Sequence, residues 1–375
     1  QKTAYEIRNC DWSSDVCSSD LLLVIGRHLH LPEACPAVLR RFAEGGWIGV
    51  DIFFVLSGFL VSSLLFREYI QHGSVNIKRF LIRRGLKIYP AFWLFLIFTL
   101  IMQKYVGNMV GTRQVLGEVL FLQNYLGGLW KHTWSLAVEE HFYIGLALLV
   151  SWMVSMHPAK PFRRIPTLFA LIAILCFGLR ILNLAVVPTY SHRAYLFGTH
   201  IRIDSLMFGV FLSYLCHFHE FLNRTARIPS FVLLATGGLL LSPAFAFQLE
   251  TNKWISIVGV ILFYFGAGLL VIAALRWKSS KSRMIRLIAG LGAASYSIYL
   301  WHMPVATWGY SFATKVIGHD SYPLYLFNAF IGACIFGWVI NRLIENPVLK
   351  LRDRFFPSQS RAFRSDEQSN AADSR

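Results

Sequence analysis

What most constrains this chain is a succession of apolar runs about 20 residues long, the length a helix needs to cross a hydrocarbon core of about 30 Å. They lie near 48–66, 88–106, 134–154, 167–187, 199–217, 230–247, 254–275, 289–312 and 322–341, and a shorter run covers 21–31. An all-α polytopic membrane protein with about ten transmembrane helices is therefore predicted. Composition agrees: 55% of the 375 residues are hydrophobic, 15% are charged, and the mean hydropathy is +0.50, too apolar for a soluble domain. The stretch Val115–Leu126, which contains Glu118, Gln123 and Asn124, is too short and polar to cross and is expected at the interface or as a re-entrant helix.

Charge sets the orientation. The chain has 36 Lys and Arg against 20 Asp and Glu, a net +16. The second, fourth, sixth and eighth loops hold sixteen Lys and Arg, from Arg67 to Arg286, and the other five loops hold seven, from Arg40 to Lys315. Basic loops stay cytoplasmic, so the expectation is a multi-pass protein of the inner (cytoplasmic) membrane with both termini inside. No basic run with interleaved aromatics points to nucleic acid, and six cysteines without a CxxC indicate neither a disulfide framework nor a metal site. Residues 1–20, with their Asp-Trp-Ser-Ser-Asp and Cys-Ser-Ser-Asp strings, lack the basic and apolar regions of a signal peptide. They are expected to be a foreign segment before a transmembrane domain at 21–351, with a disordered cytoplasmic tail at 352–375.

Ionisable groups inside apolar runs are costly and mark function by default. The stretch Trp134–Tyr143 holds Ser135, Glu139, Glu140 and His141. On a helix Ser135, Glu139 and Tyr143 share a stripe, while Glu140 points about 100° away, so one acid is expected to face a site and the other to support it. His28 and His30 are two apart in the first run, so at most one is expected to be central; imidazole is the side chain suited to moving a proton near neutral pH. Asp51 begins the second run, whose Ser57-Gly58 pair reads as close helix contact or a kink rather than a nucleophile. Arg83, Arg84 and Lys87 fall within one turn before the third run and could hold phosphates. Arg180, Arg202, Asp204 and His302 are further embedded groups that need partners on other helices.

Taken in order, the strings Gly26–His28, Gly49–Leu60, Arg83–Pro90, Trp134–Tyr143, Arg202–Gly209, Ser295–His302 and Glu345–Pro347 resemble the acyltransferase type 3 family of bacterial membrane O-acyltransferases. The resemblance spans about Leu21–Leu351. It implies transfer of an acyl group, usually acetyl from acetyl-CoA, to a hydroxyl of an extracytoplasmic glycan or lipid-linked sugar, with no permanently bound cofactor. The family's essential histidine falls on His28, which would act as base or acyl carrier with Glu139 or Asp51 orienting it. Arg83, Arg84 and Lys87 would grip the donor, and Ser135, Glu140, Arg202, Asp204 and His302 would support the site. Two positions depart from the family: Cys17 stands where an arginine is expected, and Lys87 replaces the second arginine of Arg-x-x-Arg, keeping charge without the bidentate fork. The rival reading is a secondary transporter or flippase, against which stands the lack of a second copy of either the Phe53–Leu60 or the Trp134–Tyr143 string.

Overall fold

The computed structural model describes residues 20–32, 35–157, 159–187, 189–276 and 290–357, and every regular element among them is helical. The principal helices are α1 (20–27), α2 (Ala37–Gly45), α3 (Ile48–His72), α4 (Ile77–Tyr105), α5 (Thr112–Val119), α6 (Trp134–Met156) and α7 (Ile165–Val186). They continue with α8 (Ile203–Phe218), α9 (Ser230–Leu241), α10 (Val260–Arg276), α11 (Ser295–Pro304), α12 (Tyr310–Ile317) and the nearly continuous α13 (Tyr322–Phe355). Six stretches are long and apolar enough to cross a membrane: Ala37–His72, Ile77–Tyr105, Lys131–Met156, Pro161–Val186, Ile255–Arg276 and Tyr322–Phe355. Ile203–Phe218 and Ser230–Ala246 are shorter apolar helices. The chain is an all-α polytopic membrane protein.

α3 is the central post. Most of its apolar residues are buried, with Phe54, Val55 and Phe59 fully so, as expected of a helix largely surrounded by other helices. It approaches α8 backbone to backbone: a Cβ on Gly58 would collide with the Leu206 carbonyl, and one on Gly209 with the Val55 carbonyl. Small residues permit that approach, and Ser63 and Ser213 hydrogen-bond across the same seam at 2.8 Å. α9 and α10 meet in the same way through Gly237 and Gly266. The turn from α3 into α4 needs Gly73 at φ 65° and is locked by Glu68, whose Oε1 accepts from the Asn76 N–H and from Arg79.

Two boundaries differ from the sequence expectation. α4 begins at Ile77 rather than near 88, so the basic cluster is helical. The last helix continues to Phe355, through the expected start of the disordered tail at 352, because Asp353 is anchored by Arg83 at 3.0 Å. The 115–126 stretch is two short helices, α5 and Gln123–Leu126, rather than a span, as its length and polarity foretold. Residues 1–19, 358–375 and 277–289 lie outside the described residues. Asp20, the last residue of the suspected foreign segment, is buried with Oδ2 unpartnered among the described residues.

Candidate active site

α1 ends at Arg27, and His28 sits in the turn that follows. Its Nδ1 lies 2.9 Å from the Val24 carbonyl and 3.3 Å from His302 Nε2. A carbonyl only accepts, so Nδ1 of His28 carries the proton and Nε2 keeps its lone pair. The same argument protonates Nδ1 of His302, 2.6 Å from the Tyr299 carbonyl, which leaves His302 Nε2 to accept from His28. A third imidazole, His132, completes the group: its ring centroid is 4.8 Å from that of His302 and 6.4 Å from that of His28. His132 Nε2 donates to the Leu300 carbonyl at 3.2 Å, and its Nδ1 is buried without a partner among the described residues.

His132 is the residue that sequence reasoning missed. It lies in the short turn Lys131–Thr133 ahead of α6, where no periodicity marks a buried face. The turn is held by Glu118, whose Oε1 accepts from the Leu129 N–H at 2.9 Å and the Thr133 hydroxyl at 3.0 Å, and by Gln123, which donates to the Thr133 carbonyl at 2.9 Å. Burial pushes the Glu118 carboxyl up to about 7, against those two hydrogen bonds. The helix ends before His28 and His30, so helical phase does not set their directions; both line one cavity, and one of them is central, as expected. His30 is exposed and bonds Tyr325 at 3.1 Å, so His28 is the histidine that meets His302.

Two cavities share part of their walls, and His28 lines the larger one. One, of about 740 Å³, is lined by His28, His30, His132 and Arg202 together with the aromatic walls Trp47 and Trp134. The other, of about 360 Å³, runs down the stripe Ser135, Glu139 and Tyr143 to Arg67, Arg84 and Lys87. Val24, Val50 and Tyr299 line both, so they form the partition. Tyr299 donates to the His132 carbonyl and bonds Ser135, each at 2.6 Å, tying the stripe to the histidines.

The basic cluster divides. Residues 83 and 84 are about 100° apart on the helix and so reach different surroundings, with 87 phased between them. Arg84 and Lys87 line the smaller cavity, with Arg84 5.3 Å over the Tyr143 ring. Arg83 instead binds Asp353 and the Phe356 carbonyl. Its place in the cavity is taken by Arg67, one helix back, a residue the sequence did not single out.

The carboxylates also find other partners than expected. Glu139 accepts from Ser57 at 2.7 Å and Tyr143 at 2.8 Å, and Asp51 pairs with Arg202 at 2.6 Å. Neither reaches His28, whose orientation comes from Val24 and His302. Glu140 points the other way, as its phase requires, and accepts from Tyr89 at 3.0 Å. Asp204 is gripped by Arg180, whose Nη2 lies 2.5 and 2.6 Å from the two carboxylate oxygens. Glu250, outside the lining, pairs with two residues of the larger cavity, Arg27 at 2.5 Å and His192 at 3.3 Å. Burial pushes the Glu250 carboxyl up, but the Arg27 guanidinium outweighs it and leaves the group below the ordinary range. Among the described residues no group of His, Cys, Asp and Glu is placed to hold a metal ion.

The pattern of an acyltransferase domain matches residues 36–342. The chain belongs to the acyltransferase type 3 family. That match takes in His132, Glu139, Arg202 and His302 and begins after His28. Among similar proteins, a candidate O-acetyltransferase of Staphylococcus aureus strain COL is 29% identical over 341 residues, covering 83% of this chain and 54% of the relative. The O-acetyltransferase OatA of Staphylococcus aureus strain NCTC 8325 is 26% identical over 337 residues, with the same two coverages. The chain thus spans about half the length of the curated relatives it matches. No solved structure matches it.

Proposed function

We propose that this chain is an integral-membrane O-acetyltransferase that carries acetyl from acetyl-CoA to a hydroxyl of a cell-envelope glycan or lipid-linked sugar. The observation that carries the reading is the position of His28, which lines the larger cavity and whose Nδ1–H is fixed by His302 and by Val24, a residue of the partition between the two cavities. In this reading Arg67, Arg84 and Lys87 meet the donor phosphates at the cytoplasmic end, and the thioester arm lies along the smaller cavity toward Tyr299. The acceptor occupies the larger cavity on the opposite side. Both chain termini are cytoplasmic, in the inner membrane.

The basic Nε2 of His28 takes the proton of the acceptor hydroxyl as its oxygen attacks the thioester carbon. The C–S bond then breaks, and the CoA thiolate recovers that proton from the imidazolium. In the covalent variant Nε2 attacks first and an acetyl-imidazole passes the acyl group on. His302 holds the ring in the tautomer that either route needs. The Ser57–Glu139–Tyr143 triangle forms a polar wall along the donor path. Glu139 and Asp51 act at a distance, Asp51 by fixing Arg202 beside the acceptor.

Membranes containing the chain, incubated with labelled acetyl-CoA and extracted envelope glycan, are expected to leave base-labile label on the sugar. A transporter or flippase would leave none.

A further inference from the structure

Building on the acetyltransferase reading, we propose that the larger cavity selects an acceptor bearing an anionic group, a carboxylate or phosphate, close to the hydroxyl that receives the acyl group. Its lining contains Arg27, Lys131, Arg193 and Arg202, and among the described residues no Asp or Glu lines it. Two of those cations already have acid partners, Arg27 in Glu250 and Arg202 in Asp51. Lys131 and Arg193 are exposed and make no ion pair among the described residues, so the cavity keeps an excess of positive charge.

Arg202 adds a second, independent sign. Its side chain is 1% exposed, with Nη2 on Asp51 and the guanidinium carbon 5.6 and 5.9 Å from the Phe54 and Trp134 ring centroids. Nε and Nη1 are buried with no partner among the described residues. Leaving buried donors unpaired is costly, and an anionic oxygen is the strongest acceptor for a guanidinium N–H group. Topology does not account for the other two cations: Lys131 and Arg193 are among only seven Lys and Arg on the loops of that side, against sixteen on the opposite loops.

The test titrates the full-length protein in lipid nanodiscs with three probes: trigalacturonate, its neutral methyl ester, and a sugar joined by diphosphate to a short prenyl chain. A Kd at least ten-fold tighter for trigalacturonate than for the ester, falling toward parity in Lys131→Gln/Arg193→Gln, supports the inference with the anion on the glycan. Tightest binding of the diphosphate-linked sugar, again lost in the double variant, supports it with the anion on the lipid carrier. Equal binding of acid and ester, no binding of either charged probe, or a charge preference that survives the double variant overturns it. A salt titration of the parent protein gives a readout free of any folding defect: the Kd of the preferred charged probe must rise with ionic strength while that of the ester stays level, and a level Kd for both overturns the inference. Acetyl transfer from labelled acetyl-CoA is scored separately. Charge preference without transfer rejects the acetyltransferase reading alone, and transfer without charge preference rejects this inference alone.

Discussion

Nε2 of His302 lies 3.3 Å from Nδ1 of His28, joining residues 274 apart in the chain. Because His302 is itself tied through Nδ1 to the Tyr299 carbonyl, it presents a lone pair and fixes His28 with its other nitrogen basic. His302→Ala should therefore lower kcat by roughly 10²-fold, the scale of a misplaced catalytic group, with the KM for acetyl-CoA nearly unchanged. His302→Gln, which can still accept at that point, should recover part of the loss. Steady-state kinetics on both variants checks this, and a rise in donor KM without loss of kcat would remove His302 from its positioning role.

The split of the basic cluster gives opposite expectations for adjacent residues. Arg84→Ala and Lys87→Ala should each weaken acetyl-CoA binding by roughly 1.5–3 kcal/mol, the range of a charge-assisted contact. Arg83→Ala should leave donor affinity within about two-fold and instead loosen the last helix, since its partners are Asp353 and the Phe356 carbonyl. Donor titration together with limited proteolysis of the C-terminal helix separates the two effects.

Glu118 makes stability depend on pH. Its carboxyl is raised by burial from 4.5 to about 7, so the folded state holds a proton that the unfolded chain releases near 4.5. The sign is fixed: the contribution is fully present below the unfolded value and is lost as pH rises through about 7. Thermal unfolding between pH 5 and about 8 should show this decline, and Glu118→Gln, which cannot ionise, should flatten it. An unchanged slope in that variant would exclude Glu118 as its source.

The α3–α8 seam predicts an asymmetry between two glycines. Gly58→Ala places a methyl group against the Leu206 carbonyl, whereas at Gly26 an added Cβ meets nothing within 4 Å. Overpacking of this kind costs about 1–3 kcal/mol, so Gly58→Ala should lower the Tm in detergent while Gly26→Ala should not. Equal Tm values for the two would mean that the seam tolerates separation.

How far the sequence could be read follows from which interactions are local. Run lengths located the six stretches long enough to cross, the i, i+4 spacing put Ser135, Glu139 and Tyr143 on one wall, and Ser57-Gly58 signalled close helix contact. The start of α4 could not be read, because the charged turns Ile77–Lys87 are helical through packing and an Asn76 cap rather than through apolar periodicity. That error of about three turns concealed which of Arg83, Arg84 and Lys87 face the cavity. Partner choice was also hidden: Asp51 and Arg202 are 151 residues apart, and His132 stands alone in a loop. Only tertiary packing brings such groups together.

The central claim is that His28 Nε2 handles the reacting proton or acyl group. Its most direct test is label transfer from acetyl-CoA to envelope glycan by His28→Ala and by its parent in matched membranes. Both proteins should carry an apolar start with an arginine at position 17 in place of residues 1–20. The account predicts base-labile label on glycan from the parent, a fall of roughly 10²–10⁴-fold or more in the variant, and equal amounts of inserted protein. Undiminished labelling by inserted His28→Ala would contradict it.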